Sequence, residues 1–241
     1  MIGSIVPRFA RLPAEQKRLW PDLRPSVELG FVLYGGTAIS LHLGHRRSVD
    51  FDFFHDRPLK KDLVRAAFPF MARATVLQDA ANTLNVLAPA GRSRGSSSVK
   101  LSFFGGITTG RVGDPLLTQD GVLEVASLND LMAHKLKVIL LRPEAKDYED
   151  IAAMIRAGVS LAQGLAAARA MFGKAFQPAA ALKAAVYFED GDLAALSRAE
   201  RATLIAAASA DGPLPAVRLR SRSLAIPIGG RSVPGITKGR S

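Results

Sequence analysis

The sequence predicts an α/β (α+β) fold in which a mixed β-sheet core with flanking helices precedes a helical subdomain. Three observations predict it. Short apolar or alternating runs, bounded by glycine, proline and small polar residues, recur up to about residue 127. Helical-period runs interrupt them at 12–23, 37–44 and 59–68. From residue 128 the pattern is helical almost to 210, at 128–141, 147–157, 160–172, 178–188 and 197–210. The expected organisation is a core over 1–126, a helical part over 127–212 and a basic tail over 213–241.

In chain order, LPAEQKRLWPDL (12–23) reads as a short helix stopped near Pro21. FVLYGG (31–36) reads as a strand entering a tight glycine turn, and TAISLHLG (37–44) as a helix ending at Gly44, which suits a left-handed C-terminal cap. VDFDFF (49–54) is the next strand. Side chains alternate along a strand, so Val49, Phe51 and Phe53 are expected on one face, with Asp50 and Asp52 on the other, about 7 Å apart. LKKDLVRAAF (59–68) is amphipathic and helical. ATVLQDA (74–80) and TLNVLAP (83–89) are strand-like around a turn at 81–82. GRSRGSSS (91–98) is a basic loop, VKLSFF (99–104) an alternating strand and GVLEVAS (121–127) a further short strand. The tail over 213–241 is rich in proline and glycine without helical periodicity, so it is expected to be mobile or ordered only on a partner.

Composition narrows the function classes. The 241 residues include no cysteine, which excludes disulfides and thiolate metal sites and fits a reducing compartment. No run approaches the roughly 18 apolar residues of a membrane helix, and the N-terminus lacks the apolar core of a secretory signal. The expectation is a soluble, cytoplasmic protein with no membrane partner. The formal net charge is +11, and the tail carries Arg218, Arg220, Arg222, Arg231, Lys238 and Arg240 with no acid. That surplus suits polyanions such as RNA, DNA or nucleoside triphosphates, and it also serves plain solubility.

Two carboxylates on one strand face repel each other unless a cation, a base or water compensates. The pair Asp50 and Asp52 therefore marks a wet face or a metal site. Gly35 and Gly36 lie between a strand and a helix, where missing side chains let backbone N–H groups approach a phosphate at a helix N-terminus. Thr37 can cap that helix or bind a phosphate oxygen. Neither a P-loop nor a dinucleotide fingerprint is present. The intervening helix returns the chain, so the glycines and carboxylates can meet at one end of the sheet. That arrangement suits a nucleoside triphosphate whose phosphates are bridged by Mg²⁺ to Asp50 and Asp52.

On the 99–104 strand, Lys100 and Ser102 share the open face. Lys100 can neutralise phosphate or be a solvated strand lysine. Ser102 stands where a two-metal site wants a third carboxylate, and a neutral hydroxyl is a poor ligand for a hard cation. Within His45-Arg46-Arg47-Ser48, Arg46 and Ser48 can contact phosphates or position the loop. The four histidines show no metal-ligand spacing. In SLNDLMAHKLKVILL (127–141), Ser127 and Asp130 form a capping-box-like start. Lys135 falls amid the apolar stripe of Leu128, Leu131, Met132, Leu136 and Ile139, so it needs an anionic partner: a triphosphate or a carboxylate of the site. In RPEAKDYEDIAAMI (142–155), Asp147 lies on the inward face and Asp150 at its edge. Asp147 is either an N-cap, the partner of Lys135, or a base for an attacking hydroxyl.

Together, LYGGTAISLHLGHRRSVDFDFF and SLNDLMAHKLKVILLRPEAKDYEDIAAMI resemble the AbiEii/AbiGii nucleotidyltransferase toxin family, a branch of the DNA polymerase β-like nucleotidyltransferase superfamily, over about residues 30–156. The resemblance implies a nucleotidyltransferase core followed by a helical domain. By it, Gly35, Gly36 and Thr37 match the nucleotide-binding turn, and Asp50 and Asp52 the metal-binding pair. Lys135, Asp147 and Asp150 match the family's lysine and the acids of its following motif, in which Lys146 replaces a common arginine. Many members carry an acid where Ser102 stands. The resemblance implies transfer of a nucleotide, in some members onto tRNA acceptor ends, and a separate antitoxin protein.

The expected function is that of a Mg²⁺-dependent nucleotidyltransferase moving an NMP from an NTP to a hydroxyl acceptor, with RNA or tRNA as the expected acceptor, as the toxin of a type IV-like pair. Two alternatives stay open: a nucleotide- or RNA-binding module that has lost turnover, and a nucleotidyltransferase that modifies a small molecule.

Overall fold

The computed structural model describes residues 3–91, 97–210 and 212–226. Among them, eight strands form one mixed sheet in the order β1-β7-β8-β2-β3-β6-β5-β4. The strands are β1 (Ser4–Ile5), β2 (Val32–Tyr34), β3 (Asp50–Phe54), β4 (Thr75–Ala80), β5 (Thr83–Pro89), β6 (Ser98–Phe104), β7 (Leu116–Thr118) and β8 (Glu124–Val125). Helices α1 (Ala14–Leu19), α2 (Pro25–Glu28), α3 (Gly35–Leu43) and α4 (Lys61–Ala67) lie between the strands in sequence. After the last strand come α5 (Leu128–Val138), α6 (Ala145–Arg156), α7 (Leu161–Phe172), α8 (Pro178–Ala185) and α9 (Arg198–Ala208). No single helix among the described residues is long and apolar enough to cross a membrane.

The alternation of β3 explains its place at the centre. Phe51 and Phe53 are fully buried, while Asp50, Asp52 and Phe54 face the other way. Val49 does not share the buried face, as the alternation had suggested. The strand begins one residue later and Val49 is 54% exposed. β2 runs antiparallel to β3, pairing Tyr34 with Asp52. β6 runs parallel to β3, pairing Asp50 with Lys100 and Asp52 with Ser102. Gly44 closes α3 in the left-handed conformation at φ 64°, where a side chain would be strained.

One hydrophobic cluster runs from the sheet into the helices after it, joining Phe51, Phe53 and Leu101 to Leu131, Met132, Ile151 and Phe176. The chain beyond α9 also belongs to it. Residues 213–226 hold no helix or strand, yet Ser221 bridges to Arg111 and Leu224 is 1% exposed. Arg111 Nε donates to Ser223 O at 3.0 Å, and Arg220 Nε donates to Asp114 at 2.7 Å. The expectation of a mobile tail thus fails for this stretch, because a buried leucine and backbone bonds to 111 hold it down. Arg231, Lys238 and Arg240 lie outside the described residues.

A buried ion cluster joins the helical part to the loop after α3. Asp150 on α6 is fully buried. It accepts from His45 Nε2 at 2.7 Å, Arg46 Nε at 2.7 Å and Arg46 Nη2 at 2.8 Å. Lys135 Nζ of α5 lies 2.6 Å from its other side and 2.5 Å from Asp147 Oδ1. Burial pushes the Asp150 pKa up, but the bond from His45 and the charges of Lys135 and Arg46 hold it well below the usual carboxylate range. The stabilisation from this carboxylate is therefore present above the ordinary carboxylate pKa and is lost only as pH falls through the depressed one.

Two outcomes are expected. Asp150→Ala strands Arg46, leaves Lys135 with Asp147 alone and lowers unfolding free energy by about 3–5 kcal/mol, read by urea denaturation at neutral pH. Leu224→Ala lowers it by about 2–5 kcal/mol if the strap is part of the core. An unchanged midpoint for Leu224→Ala would show that the strap contributes nothing.

Candidate active site

A cleft of about 420 Å³ opens between the exposed face of β3 and β6 and the helices α5 and α6. Gly35, Gly36, Asp50, Asp52, Lys100, Lys135 and Asp147 all line it, with Arg46 and Ser48. The glycine turn and both carboxylates therefore meet at one end of the sheet.

Close approach explains the glycines. A Cβ on Gly35 would collide with the Asp52 carboxylate, and the residue adopts φ +75°, where a side chain is strained. A Cβ on Gly36 would collide with the Arg46 guanidinium. The helix starts at Gly35 itself rather than at Thr37, and no side chain caps it. Thr37 is accordingly inside the first turn, 1% exposed, and does not line the cleft. Its hydroxyl reaches the Asp50 carbonyl and, at 2.9 Å, Ser48 Oγ. Thr37 fastens α3 to the start of β3, and of its two expected roles, capping the helix or touching phosphate, this geometry supports neither.

Arg46 and Ser48 also turn inward. Arg46 spends Nε and Nη2 on Asp150 and donates from Nη1 to Arg47 O at 3.0 Å. Ser48 is held by Thr37. Of the two roles open to the His45–Ser48 segment, the geometry supports loop positioning. Asp147 is no N-cap, since Glu144 occupies that position; its Oδ1 accepts from Lys135. Its Oδ2 is buried without a hydrogen bond, and Arg142 Nε stands 3.4 Å away. An ammonium has three donors. Lys135 directs two at Asp147 and Asp150, leaving one for the cleft.

Electrostatics at the carboxylates follow from their spacing. Burial raises the Asp52 pKa, and the neighbouring Asp50 charge raises it further. Lys100, Lys135 and a hydrogen bond from Ser102 act in the opposite direction. Ser102 is 2% exposed beside Asp52, so the third position of the sheet row holds a hydroxyl bonded to the second carboxylate. Among the described residues, no cluster of three or more His, Cys, Asp or Glu side chains forms a metal site. A two-carboxylate donor set nevertheless fits Mg²⁺, which keeps several waters and binds through one or two carboxylates together with substrate phosphates.

The cleft also holds residues to which the motifs assigned no contact. Arg142 and Lys146 stand at its rim, about half exposed. Phe54, Phe104 and His134 line its far end. Phe54 and Phe104 carried a readable signal, because they lie four residues after Asp50 and Lys100 on the same strand faces.

Solved structures share this architecture. A crystal structure from H. pylori, described as a nucleotidyltransferase, matches with a TM-score of 0.53 at 17% identity, covering 80% of this chain and 91% of that one. The JHP933 protein from Helicobacter pylori matches with a TM-score of 0.52 at 16% identity, over 80% of this chain and 87% of its own. At these identities the likeness speaks for the fold alone. No curated protein matches the sequence. The family model for the nucleotidyl transferase AbiEii toxin of type IV toxin–antitoxin systems matches residues 19–220, most of the chain, and the protein belongs to that family.

Proposed function

We propose that this protein transfers an NMP from an NTP to a hydroxyl of RNA, in the cytoplasm and with Mg²⁺, as a toxin countered by a separate antitoxin. The observation that carries the reading is the convergence of Asp50, Asp52, the Gly35–Gly36 turn and cationic side chains, among them Lys100, Lys135, Arg142 and Lys146, on one cleft. Acids that can hold a hard cation stand beside cations that can hold phosphates, and the glycines leave the backbone open between them.

In this reading the acceptor hydroxyl oxygen bonds to the α-phosphorus, and the bond from the α-phosphorus to the β-bridging oxygen breaks. Pyrophosphate leaves, and the hydroxyl proton passes to solvent. Asp50 and Asp52 would hold Mg²⁺, which supplies charge neutralisation and alignment of the phosphates. Lys135, fixed by Asp147 and Asp150, presents its remaining N–H to a phosphate oxygen. Lys100, Arg142 and Lys146 offset the negative charge of the triphosphate. Asp147 and Asp150 act through Lys135 rather than on the reacting atoms, and the exposed Arg47 and Arg142 at the mouth favour a polyanionic acceptor. One observation favours the second reading, a binding module without turnover: Ser102 leaves the site two acids rather than three.

Incubation with α-phosphate-labelled NTP, Mg²⁺ and total RNA is expected to label RNA with the wild type and to fall at least about 100-fold with Asp52→Ala. Tight NTP binding with no labelled RNA would move the protein to the binding module or to a non-RNA acceptor. The raised Asp52 pKa adds a pH signature. Its folded state binds a proton more tightly than its unfolded state, so its contribution to stability is favourable at low pH and is lost as pH rises through the raised value. Asp52→Asn is therefore expected to melt above the wild type at neutral pH in the absence of Mg²⁺ and NTP. Mg²⁺-dependent NTP binding by the wild type should weaken on acidification before an ordinary carboxylate would titrate. A variant that melts lower at neutral pH would contradict the strained pair.

A further inference from the structure

The floor of the cleft changes character along the strand direction. On β3 the open-face side chains run Asp50, Asp52, Phe54, and on parallel β6 they run Lys100, Ser102, Phe104 in register. The first row is thus a charge pair, the second the Asp52 carboxylate beside the buried Ser102 hydroxyl, and the third aromatic. The first and last stand roughly 13 Å apart along the strand, a span suited to an elongated ligand that is anionic at one end and aromatic at the other. Phe54 and Phe104 meet edge to face, ring centroids 5.5 Å apart.

His134 on α5 hangs over the aromatic row. Its ring centroid lies 4.8 Å from Tyr34, 5.6 Å from Phe54 and 5.2 Å from Phe172. Its Nε2 is enclosed without a hydrogen-bond partner among the described residues, although the side chain lines the cleft. Burial lowers its pKa to about 4, so the ring is neutral at physiological pH and has no charge to offer a phosphate. A neutral imidazole carries one N–H and one acceptor nitrogen. Three aromatic rings pack around the imidazole, and the contact they offer an enclosed ring nitrogen such as Nε2 is an N–H directed at a π face. Placing the proton there leaves Nδ1 as an acceptor, a tautomer assigned from these surroundings.

We propose that Phe54, Phe104 and His134 form the nucleobase pocket and that His134 is the residue that distinguishes one base from another. The proposal rests on the reading of the cleft as an NTP site and fixes the direction in which the nucleotide lies: phosphates over Asp50 and Lys100, base toward Phe54 and Phe104. Phe54 already stacks on Tyr34, ring centroids 4.6 Å apart, so the base is placed over Phe104 and the edge it shares with Phe54, and an aromatic face stacks on any base. Base selection needs a polar group, and His134 supplies an acceptor for a base N–H at a point where its neighbours are aromatic or aliphatic.

The test is calorimetry of the full chain with Mg²⁺ and, in turn, ATP, GTP, CTP, UTP and inorganic tripolyphosphate, for the wild type, His134→Phe and Phe104→Ala. The wild type is expected to separate its best from its worst NTP by about tenfold or more in Kd, the scale of one hydrogen bond. His134→Phe keeps the ring and should compress that spread to about threefold or less, with tripolyphosphate binding unchanged. Phe104→Ala should weaken every NTP and leave tripolyphosphate alone. Equal binding of the four NTPs by the wild type, or a His134→Phe variant with the wild-type preference, overturns the base pocket while the NTP site stands. Failure to bind any NTP or tripolyphosphate overturns the reading of the cleft itself.

Discussion

The structure depends on one buried carboxylate. Asp150 gathers His45, Arg46 and Lys135 from two other segments of the chain. None of these groups tolerates burial alone, because removing a charge from water is offset only by a well-placed opposite charge and saturated hydrogen bonds. The contacts decide where α6 sits against the loop after α3, and that loop leads directly into β3. The position of Asp50 and Asp52 relative to Lys135 is thus set by an ion cluster that does not itself include them. A purely hydrophobic contact would hold the same layers together with less directional precision, since apolar packing does not orient its partners.

The cleft shows the converse economy. Asp52 is packed against the Gly35 backbone and next to Asp50 in a place that raises its pKa. A carboxylate disfavoured in its own charged form has unsatisfied affinity for a cation, and the cations provided by the protein stand around it rather than on it. Lys135 is spoken for by Asp147 and Asp150. Lys100 lies in the register row of Asp50. Asp150 is fully paired, whereas Asp52 remains incompletely compensated, which is the division expected where a site must exchange ligands.

Much of this was readable from spacing alone. Alternation placed Asp50 and Asp52 together on the face opposite Phe51 and Phe53, and helical phase placed Lys135 on a buried stripe that demanded an anion. Both follow from local periodicity. The roles of Thr37, Arg46 and Ser48 were not readable, because a polar side chain near a glycine turn serves a ligand or a neighbouring loop equally well until the tertiary partner is known. Arg46 faces Asp150 across 104 positions of sequence. The strap over 213–226 was hidden for the same reason: its composition reads as disorder, and only Leu224 and the bridge to Arg111 anchor it. β1 and β7 are too short to carry a periodic signal of their own.

Ser102 then takes on a more specific meaning than a missing ligand. Parallel pairing puts it in the same row as Asp52, and its hydroxyl bonds to that carboxylate. A third acid there would add negative charge to a pair already under mutual repulsion, and only a second cation would relieve it. With serine, this face of the sheet offers two carboxylates, Asp50 and Asp52, and a hydrogen bond that orients the second of them. Such a set is complete for a single hard cation that draws its remaining ligands from water and phosphate. It asks more of the surrounding cations, and Lys100, Arg142 and Lys146 are the side chains placed at the cleft to supply that charge.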